Sequence, residues 1–573
     1  MIPRVSSVVV LLASIITLCL AGTAAWGDEN DPPPGYYDSA TGTGAVLKSQ
    51  LRSIMTSGHI QRRYGDFRQS AVIHDADPAQ PGNIILGYDN FSIPGQWDSG
   101  ASWNREHVWP QSRQPGSASN STRGNLGDPH ALLPMNPSTN GSRGNKPFGL
   151  ASTTGSNRGV GAYYFPGDAD KGDVARMCFY SDTRWSSLGL SLVNGFPSGN
   201  QMGDLTALLA WHYLDPPDTF ERRRNHAIFA PSINPVSFTN NRNAYVDMPE
   251  AVWSIYVDQQ NDSRLWLGDS PDADGSSSRT IQVNTIAGVS PGPINATLHK
   301  DGDDGTFYEV SASEGLDPSV SGRSNAFPIG SDGVTRGISI EIDPTLVTTP
   351  GFSTETLVVD NLDLTTQGGP GRGANDGDDT LTLDLGVYEP FNASLEPGSD
   401  TDTVSIDLGT IGVGAGDAFA SVDLYNIAIG APVAPMDASV LIATGDTAVI
   451  SLLDVDEATV ITPGDPATAI ASMSDDTEGA FSATYTLQFV PTGALFDGMP
   501  ISETIVVQLS GEVAAGSCPA DVVPPFGEVG FGDLNAFVTA FAEGDPLADV
   551  TGDGTIGFED VNAFAASFAA GCP

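Results

Sequence analysis

The stretch WNREHVWPQS, residues 103 to 112, sets an acid beside an imidazole, with an indole on either side and a proline behind. Proline has no amide donor and holds its φ at about −65°, and it pushes the residue before it to extended backbone. The run therefore reads as a short strand ending in a turn at Pro110. Successive side chains on a strand point to opposite faces. Glu106 and His107 then cannot aim at one point unless the chain bends at Pro110; otherwise they divide the labour of one site between its two sides.

The residues downstream say what that labour is. GDPHALLPMNPSTNGSRGN, residues 127 to 145, gathers Asp128, His130, Asn136, Asn140, Arg143 and Asn145 in a stretch with little helical continuity until its end. So polar a segment is costly to bury unless its groups are paired or coordinate something. Hydrolysis of a phosphodiester calls for this set. Histidine is suited to take the proton from an attacking water. Glu and Asn offer one or two oxygens to a magnesium ion that neutralises the leaving 3′ oxygen, and Arg grips phosphate bidentately. A zinc hydrolase would instead use His107, Asp128 and His130 as three firm ligands.

The chain has 573 residues and a formal net charge of −45. That length exceeds one core and implies three or four domains. The charge is uneven: residues 28 to 270 hold 19 Lys plus Arg against 24 Asp plus Glu, and residues 271 to 573 hold 5 against 46. The front part can meet a polyanion, while the acidic remainder argues against doing so itself. Residues 8 to 22, VVVLLASIITLCLAG, follow Arg4 and precede Thr23-Ala24-Ala25, the pattern of a signal peptide cleaved near Ala25. No later stretch is long and apolar enough to span a bilayer. Export leaves Cys178, Cys518 and Cys572. The last two bracket the final segment, where a disulfide is expected in an oxidising compartment; Cys178 reads as a buried small hydrophobe.

Between residues 36 and 256 apolar positions recur every three or four residues in AVLKSQLRSIM (45 to 55) and LTALLAWHYLD (205 to 215), helices among long loops of an α+β domain. Past SPDADGSSS (270 to 278) the composition turns to Gly, Thr, Val and Asp. ISIEID (338 to 343), TLTLDLGV (380 to 387), SVDLYNIA (421 to 428) and ATYTLQFV (483 to 490) alternate as strands do, which suggests two β-sandwiches divided near LEPGSDTD, 395 to 402. The end is a repeat: VGFGDLNAFVTAFAEG (529 to 544) returns as IGFEDVNAFAASFAAG (556 to 571). Before the second copy, Asp549, Thr551, Asp553, Gly554 and Asp560 fall at positions 1, 3, 5, 6 and 12 of a calcium loop. The first copy carries two prolines and lacks the central acid.

NREHVWPQS, DPHALLPMNPSTNGSRGNKPFG, PGDADKGDVARMCFY, LLAWHYLDPPDTFERRRNHAIF and NRNAYVDMPE stand in an order that resembles the bacterial endonuclease I family, exported nonspecific nucleases of the His-Me finger (ββα-metal) group, over about residues 36 to 256. The resemblance implies His107 as general base, Glu106 as the neighbouring metal-binding acid and Asn140, six residues past Pro134, as the metal-binding asparagine, with Asn145 as runner-up and structural helix-start residue. It leaves Arg143 either on a phosphate or in an ion pair. The family usually carries Asn or His where this chain has Ala131. Arg222, Arg223 and Arg224 read either as contacts to a nucleic-acid backbone or as a solvated helix face. The terminal repeat resembles a dockerin type I module, implying calcium-dependent folding and docking to a cohesin-like partner.

The expectation is a multidomain chain: a signal peptide (1–25), an α+β ββα-metal nuclease domain (28–270), two all-β sandwiches (271–395 and 396–515) and a small α-helical EF-hand-like dockerin module (516–573). Its expected function is that of a secreted, extracellular or periplasmic, Mg2+-dependent nonspecific endonuclease cutting DNA, with RNA as further candidate, and carrying Ca2+ at Asp549, Thr551, Asp553 and Asp560. The rival reading is a catalytically inactive nuclease-fold adhesin or polymer-binding protein on a β-sandwich stalk.

Overall fold

The computed structural model describes residues 29 to 571, except 259, 269–275, 363, 366–375, 431, 456–459, 493–500, 515–517 and 525–528. The signal segment 1–25 and Cys572 lie outside the described residues.

The front domain runs in the order α1 (Gly44–Thr56), α2 (Phe67–His74), β1 (Asn83–Ile85), β2 (Ser92–Pro94), β3 (Asn104–His107), β4 (Leu132–Met135), α3 (Pro137–Arg143), α4 (Lys171–Arg184), α5 (Leu205–Leu214) and α6 (Thr219–Phe229), with short pieces between. Helix α4 is buried along its length apart from Asp173. α1 lays Leu47, Leu51 and Met55 against it, one face of a 3.6-residue period. A helix buried all round must neutralise its charges: Arg176 of α4 binds Glu221 of α6 (Nε to Oε2, 2.7 Å) and Asp173 (2.9 Å).

The EHVWP segment does form a strand. β3 pairs antiparallel with β4, with Glu106 opposite Leu133 and His107 opposite Leu132, in a two-stranded sheet. α3 follows at once because Asn136 caps it, accepting from the Ser138 amide at 2.8 Å, and Pro137 sits at the first helical position, where no amide donor is required. Gly144, at φ +57°, ends it.

Two β-units follow, and the quoted alternating runs lie on their strands. In the first, Leu316–Pro318, Thr335–Ile342, Ile294–Asp301 and Arg264–Trp266 make a four-stranded sheet. Ser278–Ile286, Asp379–Tyr388, Gly351–Asn361, Thr306–Ala312 and Gly322–Phe327 make a five-stranded one. Apolar residues of both sheets share one core. The second unit repeats this strand order, including the parallel pairing of its second strand (Thr403–Gly412) with its last (Glu503–Ala514). Strand Arg264–Trp266 pairs with Ile294–Asp301, so the first unit begins ahead of the boundary expected at 270/271. Tyr213 and Trp253 of the front domain pack on Phe307 and Ala326 of that unit.

At the end of the chain, helices Phe531–Glu543 and Phe558–Ala570 face each other through the rings of Phe537 and Phe564, stacked at 4.0 Å. Those two phenylalanines hold equivalent places in the sequence repeat.

Candidate active site

Alternation along β3 divides its side chains between two surroundings. Asn104 and Glu106 face α3: Asn140 donates its amide N–H to Asn104 Oδ1 (2.7 Å) and to the Arg105 carbonyl (3.4 Å), and Arg143 Nη1 lies 3.1 Å from Glu106 Oε1. Arg105 and His107 face the other way. The ring of Tyr64 stands between them, its centroid 3.7 Å from the Arg105 guanidinium and 4.9 Å from the imidazole, nearly parallel to the latter.

His107 is buried. Its Nε2–H donates to the Leu126 carbonyl at 3.1 Å, because a carbonyl only accepts, and this leaves the lone pair on Nδ1. Burial, with Arg105 and Arg143 adding to it against the Leu126 hydrogen bond, brings its pKa down to about 4. The imidazole is thus neutral, and able to accept a proton, through the physiological range. Burial pushes Glu106 up to about 7, although the Arg143 charge and the Tyr88 hydroxyl, 3.4 Å away, oppose it.

The residues on the Glu106 side suit a hard cation. With the amide nitrogen of Asn140 bound to β3, its amide oxygen has no partner among the described residues, and Glu106 adds a carboxylate from the same face. Two protein oxygens, the rest of the shell being water and phosphate, are what magnesium takes. The zinc arrangement is not assembled. Asp128 accepts from Tyr180 (2.8 Å) and Trp185 (3.0 Å), and His130 donates to the Asn241 carbonyl (3.0 Å), so both hold the scaffold. Among the described residues no three His, Cys, Asp or Glu side chains converge.

Three sequence readings need correction. Arg143 has 0% of its surface exposed, and besides Glu106 it binds the carbonyls of His107 (3.1 Å) and Val108 (2.6 Å). It faces inward, as the ion-pair alternative required, and presents nothing to a phosphate. Asn145 lies past the end of α3; the helix-start residue is Asn136. The arginines of the FERRRNH run are engaged within the domain, Arg224 buried and Arg222 and Arg223 half-buried. Arg222 binds Asp31 (2.7 Å), Arg223 the Ala76 carbonyl, and Arg224 binds Asp75 (2.6 Å) and the carbonyls of Pro129 and Leu132. Cys178 is buried in α4 and its thiol pushed up to about 12, unreactive as expected. Tyr64, Tyr88 and the Leu126 carbonyl are contacts that the sequence reading missed.

In the terminal repeat the acids close their own loop. Asp549 accepts from the amides of Asp553 (3.1 Å) and Gly554 (2.8 Å), Asp553 from Thr555 (2.8 Å), and Asp560 from Thr551 (3.0 Å) and Gly557 (2.8 Å). Asp533 does for the first copy what Asp560 does for the second, accepting from Gly530, Val522 and Val523 at 3.0 Å. Cys518 is disulfide-bonded, while Cys572, its expected partner, falls outside the description.

Residues 43–250 match the family model described as Endonuclease I. The chain is similar to an extracellular ribonuclease of Bacillus amyloliquefaciens, 36% identical over 236 residues covering 38% of this chain and 75% of that protein. It is equally similar to an extracellular ribonuclease of Bacillus subtilis (strain 168), 36% identical over 247 residues covering 41% and 81%. Among solved structures, the CfaE adhesive subunit of enterotoxigenic Escherichia coli CFA/I fimbria overlaps 43% of this chain and 100% of its own at 8% identity, with a TM-score of 0.20 too low to bear on the fold. With that identity over three quarters or more of both ribonucleases, and with β3, β4 and α3 inside the matched segment, the chain belongs to the Endonuclease I family through its front domain.

Proposed function

We propose that residues 28 to about 262 form a secreted, magnesium-dependent endonuclease that hydrolyses phosphodiester bonds of DNA and RNA with little sequence preference. The carrying observation is the division of β3: an oxygen pair, Glu106 and Asn140, on one face, and a neutral imidazole of fixed tautomer on the other.

In this reading Nδ1 of His107 takes the proton of the attacking water while the Leu126 carbonyl holds the imidazole's other proton in place. Glu106 and Asn140 would hold magnesium, which would supply positive charge to a departing 3′ oxygen. Arg143 balances the Glu106 carboxylate and fixes its direction. The names of the two Bacillus relatives support adding RNA to DNA, and contacts to the backbone alone carry no sequence information. Their description as extracellular supports secretion, and no described helix is long and apolar enough to cross a membrane.

Each β-unit we read as a sandwich that spaces the nuclease from a terminal dockerin-like module, closed by a Cys518–Cys572 disulfide, with one calcium at Asp549, Thr551, Asp553 and Asp560 and a cohesin-like partner. The test of the nuclease is nicking of supercoiled plasmid and cleavage of RNA with magnesium, with EDTA, and by His107→Ala. Loss of cleavage in the last two is expected. Equal nicking by His107→Ala would overturn the base assignment, and a parent inert toward both polymers would favour the adhesin reading.

A further inference from the structure

The imidazole of His107 is held at more than its Nε2. Positions 105 and 107 lie on one face of β3, two residues and so about 7 Å apart along a strand, room for one aromatic ring between their side chains. Tyr64 fills that room, its ring centroid 3.7 Å from the guanidinium on one side and 4.9 Å from the imidazole on the other, inclined 24° to the imidazole. The backbone that carries the ring is pinned as well: Arg105 Nη1 donates to the Tyr64 carbonyl (2.7 Å), and the Tyr64 amide donates to the Thr122 carbonyl (2.7 Å). Tyr64 packs as well on the small cluster that includes Leu132, the residue opposite His107 on β4.

The second restraint, the Leu126 carbonyl, comes from the same patch. Gly127 follows Leu126, and a Cβ there would lie 2.5 Å from the Arg62 carbonyl, 2.9 Å from the Thr122 carbonyl and 2.9 Å from the Tyr64 amide, all backbone that cannot step aside. Segments 62–64 and 122–127 are thus pressed together without a gap, and each sends one contact to the imidazole. The Leu126 carbonyl sets which nitrogen carries the lone pair; the Tyr64 face sets the plane in which that lone pair lies. Orientation of this kind matters to rate, because a misplacement of about 1 Å costs on the order of a hundredfold.

We propose that Tyr64, braced by Arg105, is a positioning residue that fixes the ring plane of the His107 base. This rests on His107 being that base. The ring, not the hydroxyl, does the work, so Tyr64→Phe should keep kcat within about twofold. Tyr64→Leu, which fills similar space without a flat face, should lower kcat tenfold to a hundredfold with KM within about threefold and with the melting temperature near that of Tyr64→Phe. The measurement is steady-state cleavage of a short fluorescent oligonucleotide by the full chain, alongside thermal unfolding and His107→Ala. Parent-like kcat in Tyr64→Leu, a loss confined to KM, or a loss in Tyr64→Phe equal to that in Tyr64→Leu would each overturn the positioning role while leaving the nuclease reading intact. Parent-like cleavage by His107→Ala would remove the base itself and the positioning role with it.

Discussion

Replacing Arg143 by Met tests whether the hinge between β3 and α3 is held by charge. The guanidinium has one carboxylate and the carbonyls of His107 and Val108 as close partners, all buried, and its Cζ sits 4.9 Å from the Phe148 ring centre. Removing one member of a buried ion pair costs about 3–5 kcal/mol where the other charge stays uncompensated; the Glu106 carboxyl, already pushed up to about 7, takes a proton instead, which keeps the cost toward the low end of that range. The two carbonyls lose donors as well, at about 1–3 kcal/mol each where no water reaches them. These losses belong to one side chain and do not add in full, and Met packed on Phe148 recovers some apolar contact, so about 3–4 kcal/mol is the expected net. For a domain of this size that is a fall of about 6–16 °C in melting temperature. Tryptophan fluorescence reads it, since Trp97, Trp103, Trp109, Trp185, Trp211 and Trp253 all lie in the front domain. Arg143→Lys keeps the charge without the fork and should fall between. A melting temperature for Arg143→Met within about 2 °C of the parent would refute the account and return Arg143 to the substrate side.

Acid should unfold the front domain through its neutral histidines. Burial brings His130 down to about 4 and His212 well below its ordinary value. The unfolded chain therefore binds more protons below about pH 6.5, and stability falls as pH drops from there toward 4, by about 2 kcal/mol from His130 alone at pH 5. Glu106, whose carboxyl is pushed up to about 7, acts with the opposite sign, so the check is differential: a melting-temperature gap between the parent and His130→Gln that stays unchanged from pH 7 to pH 5 would exclude this. Calcium titration of the full chain should show one site that Asp549→Asn and Asp553→Asn together abolish; undiminished binding by that variant places the ion elsewhere. A chain ending near residue 262 should cleave like full length at about 150 mM salt and somewhat faster at about 10 mM, where repulsion by the acidic remainder reaches about 30 Å instead of 8 Å. A tenfold loss of affinity in that shortened chain, with circular dichroism unchanged, would make the β-units substrate-binding modules.

What could be read from sequence was local. Alternation in TLTLDLGV and ATYTLQFV finds strands because one face of each meets a core. Alternation says which face is buried but not which strand is the neighbour. The shared order of the two β-units, each pairing its second strand with its last, joins residues about a hundred apart and left no mark in the reading. The FERRRNH run failed for a related reason: three arginines in a row look solvated until Asp31, Asp75 and Ala76, far back in the chain, are brought to them.

The same contrast runs through the site. Glu106, His107 and Asn140 stand out because their chemistry is unusual in such company, whatever surrounds them. The groups that orient them do not stand out: a tyrosine 43 residues before His107, a backbone carbonyl 19 residues after it, and a buried arginine whose ion pair and phosphate readings were even on sequence grounds. Each orienting group is ordinary as a residue type and acts only through position. That position depends in turn on features with no chemistry of their own, Gly127 above all, whose missing Cβ lets segments 62–64 and 122–127 close on each other. If this is right, Gly127→Ala should reduce kcat as Tyr64→Leu does, through the same imidazole and without touching any group that meets the substrate. An alanine at 127 with parent-like kcat would mean that the two restraints on His107 are set independently of each other.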